Sequence, residues 1–101
     1  MQEAAGILEV FGCVAAFVAA DAAAKAADVR IESIDKNKPA NADSLPVPLI
    51  TCLKIRGSVA AVEAAMDAAA EAAGKITGVV TRHIIAAPTE DTEKMLRISA
   101  I

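Results

Sequence analysis

The apolar and polar positions of this chain fall into blocks with two different periods. Ala4–Phe11 is apolar apart from Glu9 and has the length of a strand. From Cys13 to Ala27 small apolar residues run on with only Asp21 and Lys25 to break them, a helical stretch opened by Gly12. Over Val29–Asp35 the pattern alternates. Val29, Ile31 and Ile34 are apolar, with Arg30 and Glu32 polar between them, as in a strand with one solvated face. A third strand is expected over Leu49–Arg56, and a second helix over about Val59–Lys75, with Ser58 as N-cap and Gly74 near its end. A fourth strand follows at Val79–Ala86. A short helix closes the pattern at Glu90–Leu96: Pro88 precedes it, Thr89 caps it, and Glu90 and Asp91 suit the positive end of its dipole.

The blocks repeat. Gly12–Ala27 aligns with Gly57–Ala73 once Met66 is taken as an insertion, pairing Gly12 with Gly57 and Asp21 with Asp67. Each copy is preceded by an apolar strand and followed by a β-branched one. Strand–helix–strand written twice is the split βαβ plan of ferredoxin-like folds. The expected architecture is α+β: a four-stranded antiparallel sheet, two main helices and a short C-terminal helix, with residues 1–101 forming one domain.

One segment breaks the pattern. Between the second and third strands, Lys36–Pro48 is polar and carries Pro39, Pro46 and Pro48. Hairpin connections are commonly about 2–5 residues, and longer ones tend to be functional or mobile.

Composition sharpens the picture. Hydrophobic residues make up 55% of the chain and aromatics 2%, and 25 of the 101 residues are alanine. Ordinary apolar usage is about 45–50%, and a domain of this size buries only about two-thirds of its unfolded surface. An excess of small apolar groups beyond what one core holds predicts subunit interfaces.

The net charge of −3 argues against nucleic acid, which requires a basic face, and Phe11 and Phe17 alone make no stacking platform. The longest apolar run, Val14–Ala27, is interrupted by Asp21 and Lys25 and falls short of the ~20 residues of a membrane span. Met1-Gln2-Glu3 has no basic n-region, so no signal peptide is expected. Two cysteines without close spacing, Cys13 and Cys52, fit a reducing cytoplasm.

Candidate chemistry is sparse. His83 is the only histidine and has no spaced partner of metal-ligating type, so a structural or interface role is expected. Cys13 opens a helix without a basic neighbour in sequence, and Cys52, inside a β-branched strand, is expected to be buried. Glu63, Asp67, Glu71 and Lys75 stand four apart, the spacing of a solvated helix stripe, and Asp21 and Lys25 make an ordinary i, i+4 pair. No phosphate-binding glycine loop is present. The residues define no catalytic set, no metal site and no cofactor site.

Three motifs in order carry a resemblance: "GILEVFG" (Gly6–Gly12), "KIRGSVAAVEAAMDAAAEAA" (Lys54–Ala73) and "VVTRHIIAAP" (Val79–Pro88). Together they resemble bacterial microcompartment shell proteins of the hexamer-forming BMC-domain family, in the unpermuted order, with the strand bearing Glu9 first. The resemblance spans about Ala5–Leu96. It implies a modified ferredoxin-like domain, homohexameric rings, and partnership with other shell proteins and with encapsulated enzymes in a cytoplasmic compartment shell. It also implies no enzymatic activity. In that family the connection between strands two and three lines the central pore of the hexamer and is usually a short glycine-rich turn. Here the corresponding segment is longer, and the resemblance puts Lys36, Asn37, Lys38, Pro39, Asn41, Asp43, Ser44 and Pro46 at the pore.

Two departures follow. Family hexamers meet edge to edge through a lysine, matched by Lys25, and an arginine after strand four, where this chain has Ala87. Extended-loop members linked to glycyl-radical compartments hold an iron–sulfur cluster with a loop cysteine. This loop has none, so no cluster is expected. Two other readings remain open on the sequence. One is a ferredoxin-like regulatory protein, dimeric or trimeric, binding a small molecule under the loop. The other, far behind, is an acyl-phosphate hydrolase, which would want an arginine and an asparagine near Gly12.

Overall fold

The computed structural model describes residues 3–99. Seven main elements follow one another: β1 (Ala4–Phe11), α1 (Cys13–Ala26), β2 (Arg30–Asn37), β3 (Ile50–Gly57), α2 (Val59–Gly74), β4 (Val79–Ile85) and α3 (Glu90–Leu96). A 3-10 turn at Ala42–Ser44 interrupts the connection between β2 and β3.

The punctuation residues do what their chemistry predicts. Gly12, at φ 87, makes the sharp turn from β1 into α1. Ser58 Oγ accepts a hydrogen bond from the Ala61 amide at 3.1 Å, and Thr89 Oγ1 accepts one from the Thr92 amide at 3.3 Å. Gly78, at φ 119, turns the chain into β4.

The sheet is antiparallel throughout, in the order β2-β3-β1-β4. Leu8 stands opposite Leu53, and Gly6 opposite Ile55, across the central pair. On one face Leu8, Val10, Leu53 and Ile55 meet α1 through Ala15, Ala16, Ala19 and Ala23, and α2 through Val62, Ala65, Met66, Ala69 and Ala73. Those helical positions recur at three- and four-residue spacing, so each helix turns one alanine-rich stripe inward. Full burial of a leucine, isoleucine or methionine side chain contributes roughly 1.5–3 kcal/mol. The alanines add less each, but they let the helices lie close to the sheet. A close approach falls at Gly6, where an added Cβ would stand 2.8 Å from Met66 Sδ and 2.9 Å from Val62 Cγ1.

Alternation along β3 sends Lys54 and Arg56 to the other face, and α3 covers them there. Arg56 is 3% exposed and Lys54 6%. Ser33 Oγ donates to the Leu96 carbonyl at 2.6 Å, and Lys54 Nζ donates to the Ile98 carbonyl at 2.7 Å. This face is therefore held by polar contacts where the first is held by apolar ones.

Apolar surface is left over. Val14 is 68% exposed and Phe17 54%, and Val18, Ile31, Ile76 and Val80 are also exposed. On α1, Val14, Phe17 and Val18 share a stripe with Asp21 and Lys25, on the side turned away from the core.

Candidate functional site

The unusual segment sits at one end of the sheet. β2 runs two residues further than its polar composition suggests. Lys36 pairs with Thr51 and Asn37 with Ile50, so these two residues end a strand and the loop proper begins at Lys38. The Lys36 amide donates to Asp35 Oδ1 at 2.8 Å. Within the loop the Ala42 amide donates to the Pro39 carbonyl at 3.0 Å, Ser44 to Asn41 at 2.9 Å and Leu45 to Ala42 at 3.1 Å. Lys38, Asn41, Asp43, Ser44 and Pro46 are exposed, Pro39 is half-buried and Ala42 is buried. At the exit Leu49 is tied to the start of α1, its carbonyl accepting from the Gly12 amide at 2.9 Å.

Lys25 lies near the other end of α1. Its ammonium pairs with Asp21 Oδ2 at 2.7 Å, both side chains are well exposed, and the Asp21 hydrogen bond holds the lysine above its ordinary value. A 14-residue helix spans about 20 Å, so loop and lysine mark opposite ends of the subunit. Ala87 is exposed, near the Lys25 end of the sheet.

The remaining candidates do not converge. His83 is exposed on the edge strand β4, opposite Ile7. Of the acidic stripe on α2, Glu71 pairs with Lys75 at 3.4 Å and Asp67 reaches across to Arg82 at 2.8 Å. Cys13 Sγ accepts a long contact of 3.8 Å from Thr51 Oγ1. Cys52 is half-buried, not buried as its strand suggested, because it stands on the Lys54–Arg56 face of β3, turned away from the apolar core of Leu53 and Ile55. Partial burial still pushes its thiol up. Among the described residues no group of three His, Cys, Asp or Glu is placed to hold a metal ion, and no helix is long and apolar enough to cross a membrane.

Sequence reasoning missed one cluster entirely. Arg56 Nη1 and Nη2 each donate to a carboxylate oxygen of Glu93 at 2.7 Å, Nη2 also donates to the Glu3 carbonyl at 3.0 Å, and Nε donates to the Ala4 carbonyl at 3.2 Å. Arg30 pairs with Glu3 at 2.7 Å and Glu32 at 2.8 Å. The hydrogen bonds from Arg56 hold the Glu93 carboxyl below the usual carboxylate range. A cavity of about 270 Å³ opens beside this cluster, lined by residues including Glu3, Asp28, Arg30, Arg56 and Ser58. Both of its arginines already have carboxylate partners. The available signal was the alternation in "CLKIRG", which puts Lys54 and Arg56 on one face of a strand.

Fold and surface together define a ferredoxin-like α+β domain with a long structured loop at one end and surplus apolar surface on its flanks. The chain belongs to the BMC domain family, whose model matches residues 4–88. The bacterial microcompartment shell protein PduA of Citrobacter freundii is 40% identical over 95 residues, covering 94% of this chain and 92% of that protein. PduA of Salmonella typhimurium matches at the same identity and coverage. The crystal structure of a microcompartment protein from Desulfitobacterium hafniense superposes with a TM-score of 0.71 at 24% identity. It covers all of this chain, which spans half of that one, and the likeness carries the fold alone.

Proposed function

We propose that this chain is a structural, non-enzymatic shell protein of a bacterial microcompartment in the cytoplasm. The whole chain acts as one unpermuted domain. Six copies close into a ring, the β2–β3 segment of each lines the central pore, and rings assemble with other shell proteins around encapsulated enzymes. The observation that carries the reading is the likeness to PduA over 94% of the chain, since PduA is itself a shell protein. The exposed apolar stripe of Val14, Phe17 and Val18 on α1 supports association, because exposed contiguous apolar surface marks interaction sites.

The geometry fits an elongated subunit with its two candidate contacts at opposite ends. The 38–49 segment stands at one end and Lys25 at the other, in a molecule 42 Å along its longest axis. With the loop at the ring axis, Lys25 falls at the rim, where rings meet edge to edge. Asn41, Asp43 and Ser44 are the exposed polar groups of the turn. Six Asp43 carboxylates around one axis would repel anions, unless Lys36 or Lys38 of a neighbour offsets them. Alanine at position 87 removes one edge contact that the resemblance would supply, so sheets of rings rest more on Lys25 and on other contacts.

Electron microscopy of the purified protein tests the reading. Rings about six subunits round, or sheets and tubes made of them, support it. Uniform particles of two or three chains favour a ligand-binding regulatory protein instead.

A further inference from the structure

We infer that the β2–β3 segment is a preset constriction and not a hinged gate, and that Ser44 is the positioning residue that fixes it; the inference rests on the ring reading above. A gate needs a stretch with few internal hydrogen bonds and residues that absorb large backbone rotations. This segment has neither property. Three overlapping backbone hydrogen bonds close within Pro39–Leu45. Ser44 also donates its Oγ to the Asn41 carbonyl at 2.8 Å, so one carbonyl accepts from both the amide and the hydroxyl of the same residue.

Ala42 is 3% exposed although it lies in a loop, so the turn has an inward side as well as an outward one. Pro39, Pro46 and Pro48 fix φ on both flanks of the turn, and no glycine occurs between Lys38 and Leu49. Both ends are anchored, through the Asn37–Ile50 strand pair on one side and the hydrogen bond from Gly12 to Leu49 on the other. Val47 Cγ1 stands 3.4 Å from where a Cβ on Gly12 would sit, so the exit is packed against the α1 turn.

The consequence is selectivity without opening. The backbone turn holds Asn41 and Asp43 at one place on the rim. The ring then sorts solutes by a set aperture and by the charge around it, and loop movement is not part of passage.

Hydrogen exchange on the 101-residue chain tests this. The amides of Ala42, Ser44 and Leu45 are expected to exchange at least about tenfold more slowly than in an unstructured peptide. Ser44→Ala should raise exchange at all three severalfold and leave Leu53 and Ile55 in the core unchanged. Wild-type loop amides exchanging at unstructured rates in a particle of ring size would overturn the constriction and leave the ring standing. An unaltered loop in Ser44→Ala would overturn the role of Ser44. A particle smaller than a ring, measured on the same sample, would overturn the ring reading and this inference with it.

Discussion

Arg56 and Glu93 are 37 residues apart in sequence and meet in a bidentate pair, two guanidinium nitrogens each 2.7 Å from one carboxylate oxygen. The pair joins the central sheet to the C-terminal helix. Other donors of Arg56 hold the backbone at Glu3 and Ala4 and reach Glu32 Oε1 at 3.3 Å, so one side chain ties the start of β1, β2 and α3 to β3. Arg56→Ala removes the pair and leaves two backbone carbonyls without this donor. Glu93 is not fully enclosed and is partly solvated when left alone, so a loss of about 2–3 kcal/mol is expected. A urea unfolding midpoint lower than the parent, at unchanged slope, checks it. A midpoint equal to the parent would show that the pair contributes nothing.

The same contact sets a pH dependence. The Glu93 carboxyl is held below its unfolded-state value, so the folded state favours the carboxylate. Its stabilisation is complete above the unfolded carboxylate pKa of about 4.3. It is lost as pH falls further, through the folded value. Glu93→Gln removes this dependence. The difference in stability between parent and variant should be constant from pH 7 to about pH 5 and shrink at lower pH. A difference that grows on acidification would contradict the sign.

Gly6 is a packing requirement. A methyl group there meets Val62 Cγ1 at 2.9 Å, and valine in a helix has little rotamer freedom with which to yield. Gly6→Ala should cost about 1–3 kcal/mol by overpacking. The paired variant Gly6→Ala with Val62→Ala should recover part of that loss. Calorimetric midpoints of the two variants decide it.

Local signals made much of this fold legible. Gly12, Ser58 and Thr89 each announce a helix start through turn or cap chemistry, and the strand before Gly12 and the helix after Thr89 have the bounds that the sequence implies. Boundaries that depend on distant partners were harder to read. β2 continues through Lys36 and Asn37 because Thr51 and Ile50 supply their hydrogen bonds, which no polar pattern reveals. Cys52 looked buried because β-branched neighbours surround it, yet it stands on the strand face turned away from the apolar core. The alternation in "CLKIRG" places Arg56 on a strand face, but its pairing with Glu93, 37 residues on, lies beyond local reading. The loop stood out as an interruption, but its internal turn at Ala42–Ser44 did not, because no glycine marks it.

Lys25 carries the prediction for lateral assembly. Its partner Asp21 is fully within reach and both are solvated, so the pair itself adds little to folding. Lys25→Ala should leave the unfolding midpoint where the parent has it. It should also abolish or strongly reduce sheets and tubes under the electron microscope, with single rings retained. Sheets formed as readily as by the parent would remove Lys25 from the edge.

The most direct measurement is the mass of the purified 101-residue chain in solution, by native mass spectrometry or light scattering across a concentration series. A closed ring of six chains of 10.3 kDa gives about 62 kDa, with no stable smaller species at working concentration. A particle that stays at the mass of one chain as concentration rises would contradict the account.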